Sequence, residues 1–203
     1  MKEIDLFLKN VPAKTYKKEK VLIKGGEPIE KIFFLLKGNV RQYLLTSSGE
    51  EINIHIFKPG SFFPIMLFIA KSQNRFYFET LTSVSLKAVN PQKVINFLKS
   101  EPDVLYDLTK RLSLGLNGMV NRLENTLGND VRKRLLSLLA HFVKNFAREG
   151  KRGYSIQIPF THKDLANWLG VSRETISRQM KSFERQNLIS YNKRKIVARK
   201  NLI

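Results

Sequence analysis

The 203-residue chain contains no cysteine. That excludes disulfides, thiolate nucleophiles and cysteine-ligated zinc or iron–sulfur centres. Histidine is scarce as well. His55, His141 and His162 are far apart in the sequence and offer no close-spaced metal pair. No apolar run approaches the roughly 20 residues that a membrane-spanning helix needs. The opening Met1-Lys2-Glu3-Ile4-Asp5 lacks the basic-then-apolar layout of a signal peptide. There is no glycine-rich phosphate loop and no nucleophile elbow. These absences predict a cytoplasmic protein that is no enzyme, carries no cofactor or metal, and has no membrane partner.

Acidic residues are the other shortage. The chain has 17 Asp+Glu against 36 Lys+Arg, a formal net charge of +19. Such an imbalance points to a polyanionic partner, nucleic acid or an anionic membrane surface; a bias that only serves solubility is the plainer alternative. Distribution favours nucleic acid. Residues 1–128 hold 19 basic and 12 acidic side chains, a net of +7, whereas the shorter segment 129–203 holds 17 and 5, a net of +12. Arginines concentrate in that segment, and their planar fork suits phosphate and guanine.

What is present is organised in three parts. Residues 1–101 read as short strands. Ile52, Ile54 and Ile56 alternate with Asn53 and His55, and Val84, Leu86 and Ala88 alternate with Ser85 and Lys87. Gly25-Gly26, Gly38, Ser47-Ser48-Gly49 and Pro59-Gly60 supply the turns, so a sandwich or barrel is expected. Asn90 and Pro91 suit the cap and first position of a helix through Val94, Ile95 and Leu98.

From Pro102 to about Leu127 the apolar residues recur at helical spacing. Leu105, Leu112, Met119 and Thr126 share one heptad position; Leu116 and Leu123 share its partner. This seam of Leu112, Leu116, Met119 and Leu123 suits a homodimer interface over residues 102–128, the alternative being that it packs on its own domain. Gly115 and Gly118 weaken the helix.

Residues 129–203 read as a DNA-binding domain. Asp130 caps a helix whose apolar face is Leu135, Leu138, Leu139, Phe142 and Phe146. Arg148 to Gly153 reads as a loop, followed by alternating Tyr154, Ile156 and Ile158. Thr161-His162-Lys163-Asp164 is a capping box. Leu165, Ala166 and Leu169 face inward, Gly170 makes a tight turn, Val171 fills the gap below it, and Ser172 caps a second helix with core face Ile176, Met180 and Phe183. Two short helices about a glycine turn make a helix-turn-helix.

The second helix turns Arg173, Glu174, Ser177, Arg178 and Lys181 outward. Arginine suits guanine and glutamate suits the cytosine amino group; the plain alternative is a solvated polar face. Downstream, Ile189-Ser190-Tyr191 and Lys195-Ile196-Val197-Ala198 flank a basic tip, Asn192-Lys193-Arg194, placed like a wing to touch phosphate.

The segment "THKDLANWLGVSRETISRQMKSFERQNLI" resembles the DNA-binding signature of the cyclic-AMP receptor protein/FNR (Crp/Fnr) family of bacterial transcription regulators. Residues 19–63, with Gly26, Gly38, Gly49 and Gly60, resemble the family's cyclic-nucleotide-binding barrel. The resemblance implies an α+β protein: an N-terminal jelly-roll barrel, a long dimerisation helix and a C-terminal winged helix-turn-helix. It implies a homodimer that binds a two-fold symmetric operator in double-stranded DNA and contacts RNA polymerase. Carried over by position, Arg173, Glu174, Ser177 and Arg178 read bases. Thr161 and His162 fall where the family contacts phosphate; Lys181, Lys193, Arg194 and Lys195 join them by their chemistry.

The chain departs from the family's cyclic-nucleotide cassette. Arg75 occupies the arginine position, but Pro64 and Ile65 stand where Gly-Glu would, and Phe76 replaces a hydroxyl residue. With the ribose acceptor and one phosphate donor gone, cyclic AMP is not the expected effector. Phe62, Phe63, Met66 and Phe76 beside Arg75 are either core or an apolar effector site with one polar anchor. A competing reading makes the chain a small-ligand sensor or scaffold in which DNA binding is secondary.

Overall fold

A computed structural model of the chain describes residues 2–151, 153–192 and 195–202. It divides into two compact units, Met1–Asn117 and Gly118–Ile203, with the boundary inside one long helix.

The first unit begins with α1 (Lys2–Phe7) and strands β1 (Ala13–Tyr16), β2 (Val21–Ile23), β3 (Ile32–Lys37), β4 (Val40–Leu45), β5 (Glu51–Phe57) and β6 (Phe62–Phe63). It continues with α2 (Ile65–Ile69), β7 (Tyr77–Thr80), β8 (Val84–Val89), α3 (Pro91–Ser100) and the start of α4 (Pro102–Gly128). The strands form two four-stranded antiparallel sheets, β1-β8-β3-β6 and β2-β7-β4-β5. They pack as a jelly-roll sandwich, and their edges do not join into one closed barrel.

The run Ile32-Phe33-Phe34-Leu35 explains the layering. All four side chains are buried, because the first sheet is covered on both faces. Phe33 and Leu35 join Phe63 and Leu86 against Val40 and Phe78 of the second sheet. Ile32, Phe34 and Phe62 pack instead against Val94, Phe97 and Leu98 of α3. Asn90 caps α3 as expected, its side chain accepting from the Gln92 and Lys93 N–H groups. At the β3–β4 turn Gly38 has φ +84°, and a Cβ there would run into the Ser83 carbonyl, so only glycine fits.

Two strand patterns differ from the sequence expectation. In β5, Asn53 is buried while Ile52 and Ile54 are only half-buried, because the β4–β5 register shifts between Gln42 and Tyr43. One extra residue reverses the facing of everything beyond it. In β8, Ala88 is exposed and Val89 buried. His55 is exposed, as expected of an outer strand position.

The same bulge builds a buried polar group on the second sheet, opposite the core face. Arg41 lies between Glu51 (2.7 Å) and Glu79 (3.1 Å) and over the Tyr43 ring at 4.2 Å. It also donates to Asn53 Oδ1 at 3.3 Å. Burial opposes the guanidinium charge, but the Glu51 hydrogen bond and the two carboxylate charges outweigh it, so its pKa is raised. Burial, then the Glu79 charge, pushes the Tyr43 phenol up to about 12.

Helix α4 is 27 residues long and contains no buried residue. Val104 and Leu108 pack partly against the first unit's core. Leu116, Met119 and Leu123 stand exposed, and Leu112 is half-buried.

The second unit adds α5 (Val131–Phe146), β9 (Ala147–Gly150), β10 (Gly153–Ile156), α6 (His162–Leu169), α7 (Arg173–Arg185), β11 (Ile189–Asn192) and β12 (Lys195–Ala198). Asp130 caps α5 by accepting from the Lys133 N–H at 2.8 Å. Leu135, Leu138, Leu139 and Phe142 are buried and Phe146 half-buried. The segment expected as a loop is partly strand: Ala147 to Gly150 pair with β10, adding an edge to the sheet β11-β12-β10-β9. The strand is mostly exposed and held by backbone bonds, so it leaves no apolar alternation to read. Conversely, Ile158 is buried but lies beyond the end of β10.

Candidate nucleic-acid interface

The geometry of α6 and α7 follows from their caps. Thr161 and Asp164 make the reciprocal capping box, the Thr161 hydroxyl accepting from the Asp164 N–H while the Asp164 carboxylate accepts from the Thr161 N–H. Helix α6 ends at Gly170, whose φ of 62° is left-handed and whose N–H bonds the Ala166 carbonyl. Val171, half-buried, also donates its N–H to that carbonyl, closing the turn. Ser172 then caps α7 by accepting from the Thr175 N–H.

Helix α7 is two-sided. Ile176, Met180 and Phe183 are buried. They fill the unit's interior, where Phe142 stacks on Phe160 at 4.2 Å and meets Trp168 edge-on at 5.7 Å. The far end of α7 is tied to α5: Arg132 donates to Gln186 Oε1 at 2.6 Å, and its guanidinium lies 4.9 Å from the Phe183 ring centroid. Arg134 donates to the Leu169 carbonyl, holding the end of α6. Helix α5 thus holds the C-terminal ends of both α6 and α7.

On its other face, Arg173, Glu174, Arg178 and Lys181 are exposed and Ser177 is half-buried. All five expected side chains share this face. Thr161 Oγ1 is engaged with Asp164 Oδ2 at 2.7 Å. His162 lies at the edge of the same surface, with Nδ1 2.9 Å from Ser177 Oγ and Nε2 3.1 Å from Tyr191 Oη. Its pKa is lowered, first by burial and then by the charges of Arg173 and Lys181.

The wing is the β11–β12 hairpin. Asn192 pairs with Lys195 and so belongs to the strand rather than the tip. Lys193 and Arg194, expected at the tip, lie outside the described residues. Lys195 is half-buried and donates to Gln157 Oε1 at 2.8 Å. Tyr191, a plain strand residue by its sequence pattern, reaches Ser177 of α7 through His162.

The expected effector residues come together only in part: Phe63 and Phe76 pack in one core cluster, whereas Phe62 belongs to another. Phe62 and Phe63 are neighbours on β6 and point to opposite faces, one toward α3 and one into the sandwich. Met66 is exposed on α2; Arg75 is exposed, its guanidinium 5.5 Å from the half-buried Phe76 ring centroid. Phe62 and Phe63 are core.

Two clamped helices, an exposed basic and hydrogen-bonding face and a β-hairpin beside it define a winged helix-turn-helix protein, a class whose second helix enters the major groove of DNA. Comparison with known proteins places it further. Residues 133–202 match the Crp-like helix-turn-helix domain, and residues 13–101 match the cyclic nucleotide-binding domain. The global nitrogen regulator of Nostoc sp. is 27% identical over 188 residues, covering 92% of this chain and 84% of that protein. The cAMP-activated global transcriptional regulator CRP of Haemophilus influenzae is 26% identical over 195 residues, covering 96% and 87%. Among solved structures, the c-di-GMP responsive global regulator CLP of Xanthomonas campestris superposes with a TM-score of 0.82 at 20% identity, covering 98% of both chains. The chain belongs to the Crp/Fnr family of DNA-binding transcription regulators, whose members are not enzymes.

Proposed function

We propose that the chain works as a homodimer on a palindromic operator and contacts RNA polymerase there. In this reading, residues 1–101 form a sensor domain, 102–128 a dimerisation helix and 129–203 the DNA-binding domain. The protein works in the cytoplasm; among the described residues no helix is long and apolar enough to cross a membrane.

One observation carries the DNA reading: Arg173, Glu174, Ser177 and Arg178 share the outward face of a helix whose other face is buried. Within about one turn and a half they can reach neighbouring base pairs, arginine at guanine O6 and N7 and glutamate at the cytosine amino group. In this reading Thr161, His162 and Lys181 meet the phosphates that set register, and Lys193, Arg194 and Lys195 are assigned the same role by their chemistry. The exposed Leu116, Met119 and Leu123, with Leu112, supply the symmetric seam. Two-fold symmetry then requires an inverted repeat, with half-site centres roughly 34–36 Å apart. The family resemblance suggests half-sites like TGTGA.

Cyclic AMP is not the effector in this reading. Where the family cassette holds a ribose-binding glutamate, Ile65 packs into the core beside α3. Phe76 offers no hydroxyl, and Arg75 is left without that company. The effector is therefore a different small molecule or none.

The test is a selected-sequence profile from randomised duplexes for the wild type and Arg178→Ala. Arg178→Ala should cost about 1–3 kcal/mol and relax the preference at one G·C pair only. Identical profiles, or preferred sites without an inverted repeat, would overturn the assignment.

A further inference from the structure

Ser177 is the one base-reading candidate whose chemistry is ambiguous. A serine hydroxyl can donate or accept, so by itself it discriminates bases poorly. Here it is not by itself. Its oxygen lies 2.9 Å from His162 Nδ1, and His162 Nε2 lies 3.1 Å from the Tyr191 hydroxyl. The three residues come from three elements: the first turn of α6, the middle of α7 and the wing strand β11.

We infer that Tyr191 and His162 form a relay that makes Ser177 a hydrogen-bond donor toward DNA, so that a wing residue helps to set base specificity on the recognition helix. This rests on the reading of α7 as the helix that reads bases.

The direction follows from the hydrogen-bonding capacity of each group. A neutral imidazole has one N–H and one lone pair, and which nitrogen carries the proton is set by the partner of the other. The phenol is the more acidic hydroxyl and the better donor; the serine oxygen is the better acceptor. Tyr191 Oη–H therefore donates to Nε2. The ring proton sits on Nδ1 and is donated to Ser177 Oγ. The Ser177 hydrogen is left to point outward. It seeks an acceptor on a base edge, guanine N7 or O6 or thymine O4, and is mismatched against the amino groups of cytosine and adenine.

Protonation of His162 does not reverse this. An imidazolium still donates from Nδ1 to Ser177, and only Tyr191 changes role, from donor to acceptor. Arg173 and Lys181 on α7 lie close enough to act on His162 through their charge, and both oppose that protonation. Both ring nitrogens are occupied inside the unit, so His162 orients Ser177 and acts on phosphate only through its charge.

The experiment uses the full-length protein and a pool of randomised DNA duplexes, with binding profiles for wild type, Ser177→Ala, Tyr191→Phe and the double variant. Tyr191 is 42% exposed, so loss of its hydroxyl leaves the fold intact. Ser177→Ala should relax one base position by about three- to tenfold, the worth of one hydrogen bond. Tyr191→Phe should relax the same position and no other. The double variant should match Ser177→Ala rather than the product of the two effects. His162→Ala should repeat the Tyr191→Phe profile.

If Tyr191→Phe weakens every duplex alike, or leaves the profile unchanged while Ser177→Ala relaxes one position, the relay is wrong and the recognition helix stands. If Ser177→Ala leaves the profile unchanged, the relay is wrong as well. The Arg178→Ala profile then reports separately on whether α7 reads bases.

Discussion

Replacing Leu116 and Leu123 with glutamate tests the dimer directly, and the structure sets the size of the effect. In the single chain these side chains are 63% and 60% exposed. Full burial of a leucine is worth about 1.5–3 kcal/mol, so covering the exposed six-tenths is worth about 1–2 kcal/mol each. A two-fold interface uses each residue twice, so the double variant loses four leucines, about 4–8 kcal/mol. At about 1.4 kcal/mol per tenfold, the dissociation constant rises by roughly a thousandfold to several hundred thousandfold. Burying the glutamates unpaired adds to that. Light scattering at micromolar concentration should report dimers for the wild type and monomers for the variant. Far-UV circular dichroism should be unchanged, because neither side chain holds the monomer together. A dimer of undiminished strength in a folded double variant would refute the seam and move the interface elsewhere.

Other predictions concern DNA and ligand. Neutralising Lys193, Arg194 and Lys195 together should weaken binding to all sequences alike and flatten its salt dependence; a loss confined to the operator would count against the wing. Cyclic AMP should leave the melting temperature and operator affinity unchanged, since a ligand selective for the folded state must raise the former with concentration. His162 titrates below its ordinary 6.5, through burial and then the charges of Arg173 and Lys181. The folded chain thus binds this proton less readily than the unfolded one, so the site's stability is full above 6.5 and is lost as pH falls through the depressed value. DNA phosphates favour the imidazolium, so operator binding should take up a proton and tighten as pH falls through the same window. His162→Gln should reduce that slope, and an unchanged slope in fluorescence-anisotropy titrations would remove His162 from the phosphate side of the interface.

The DNA-binding half was legible in the sequence because local chemistry decides it. Asp130, Thr161 and Ser172 accept from backbone N–H groups three residues ahead, and Gly170 takes the left-handed turn that its lack of a Cβ permits. The two faces of α7 follow from a 3.6-residue period written in thirteen residues. None of this needs a distant partner.

What the tertiary structure alone decided depends on groups far apart in the chain. Strand β9 exists because β10 offers it backbone partners, and its own side chains record nothing of that. Asn53 is buried because a bulge reverses its facing, and Arg41 can be buried because folding brings Glu51 and Glu79 to it across neighbouring strands. The adjacent Phe62 and Phe63 became core on two different faces once both sides of their sheet were covered. His162 meets Ser177 and Tyr191 across separations of 15 and 29 residues. A sequence shows which groups can form hydrogen bonds, but only the packing of α6, α7 and the wing brings these three within bonding distance.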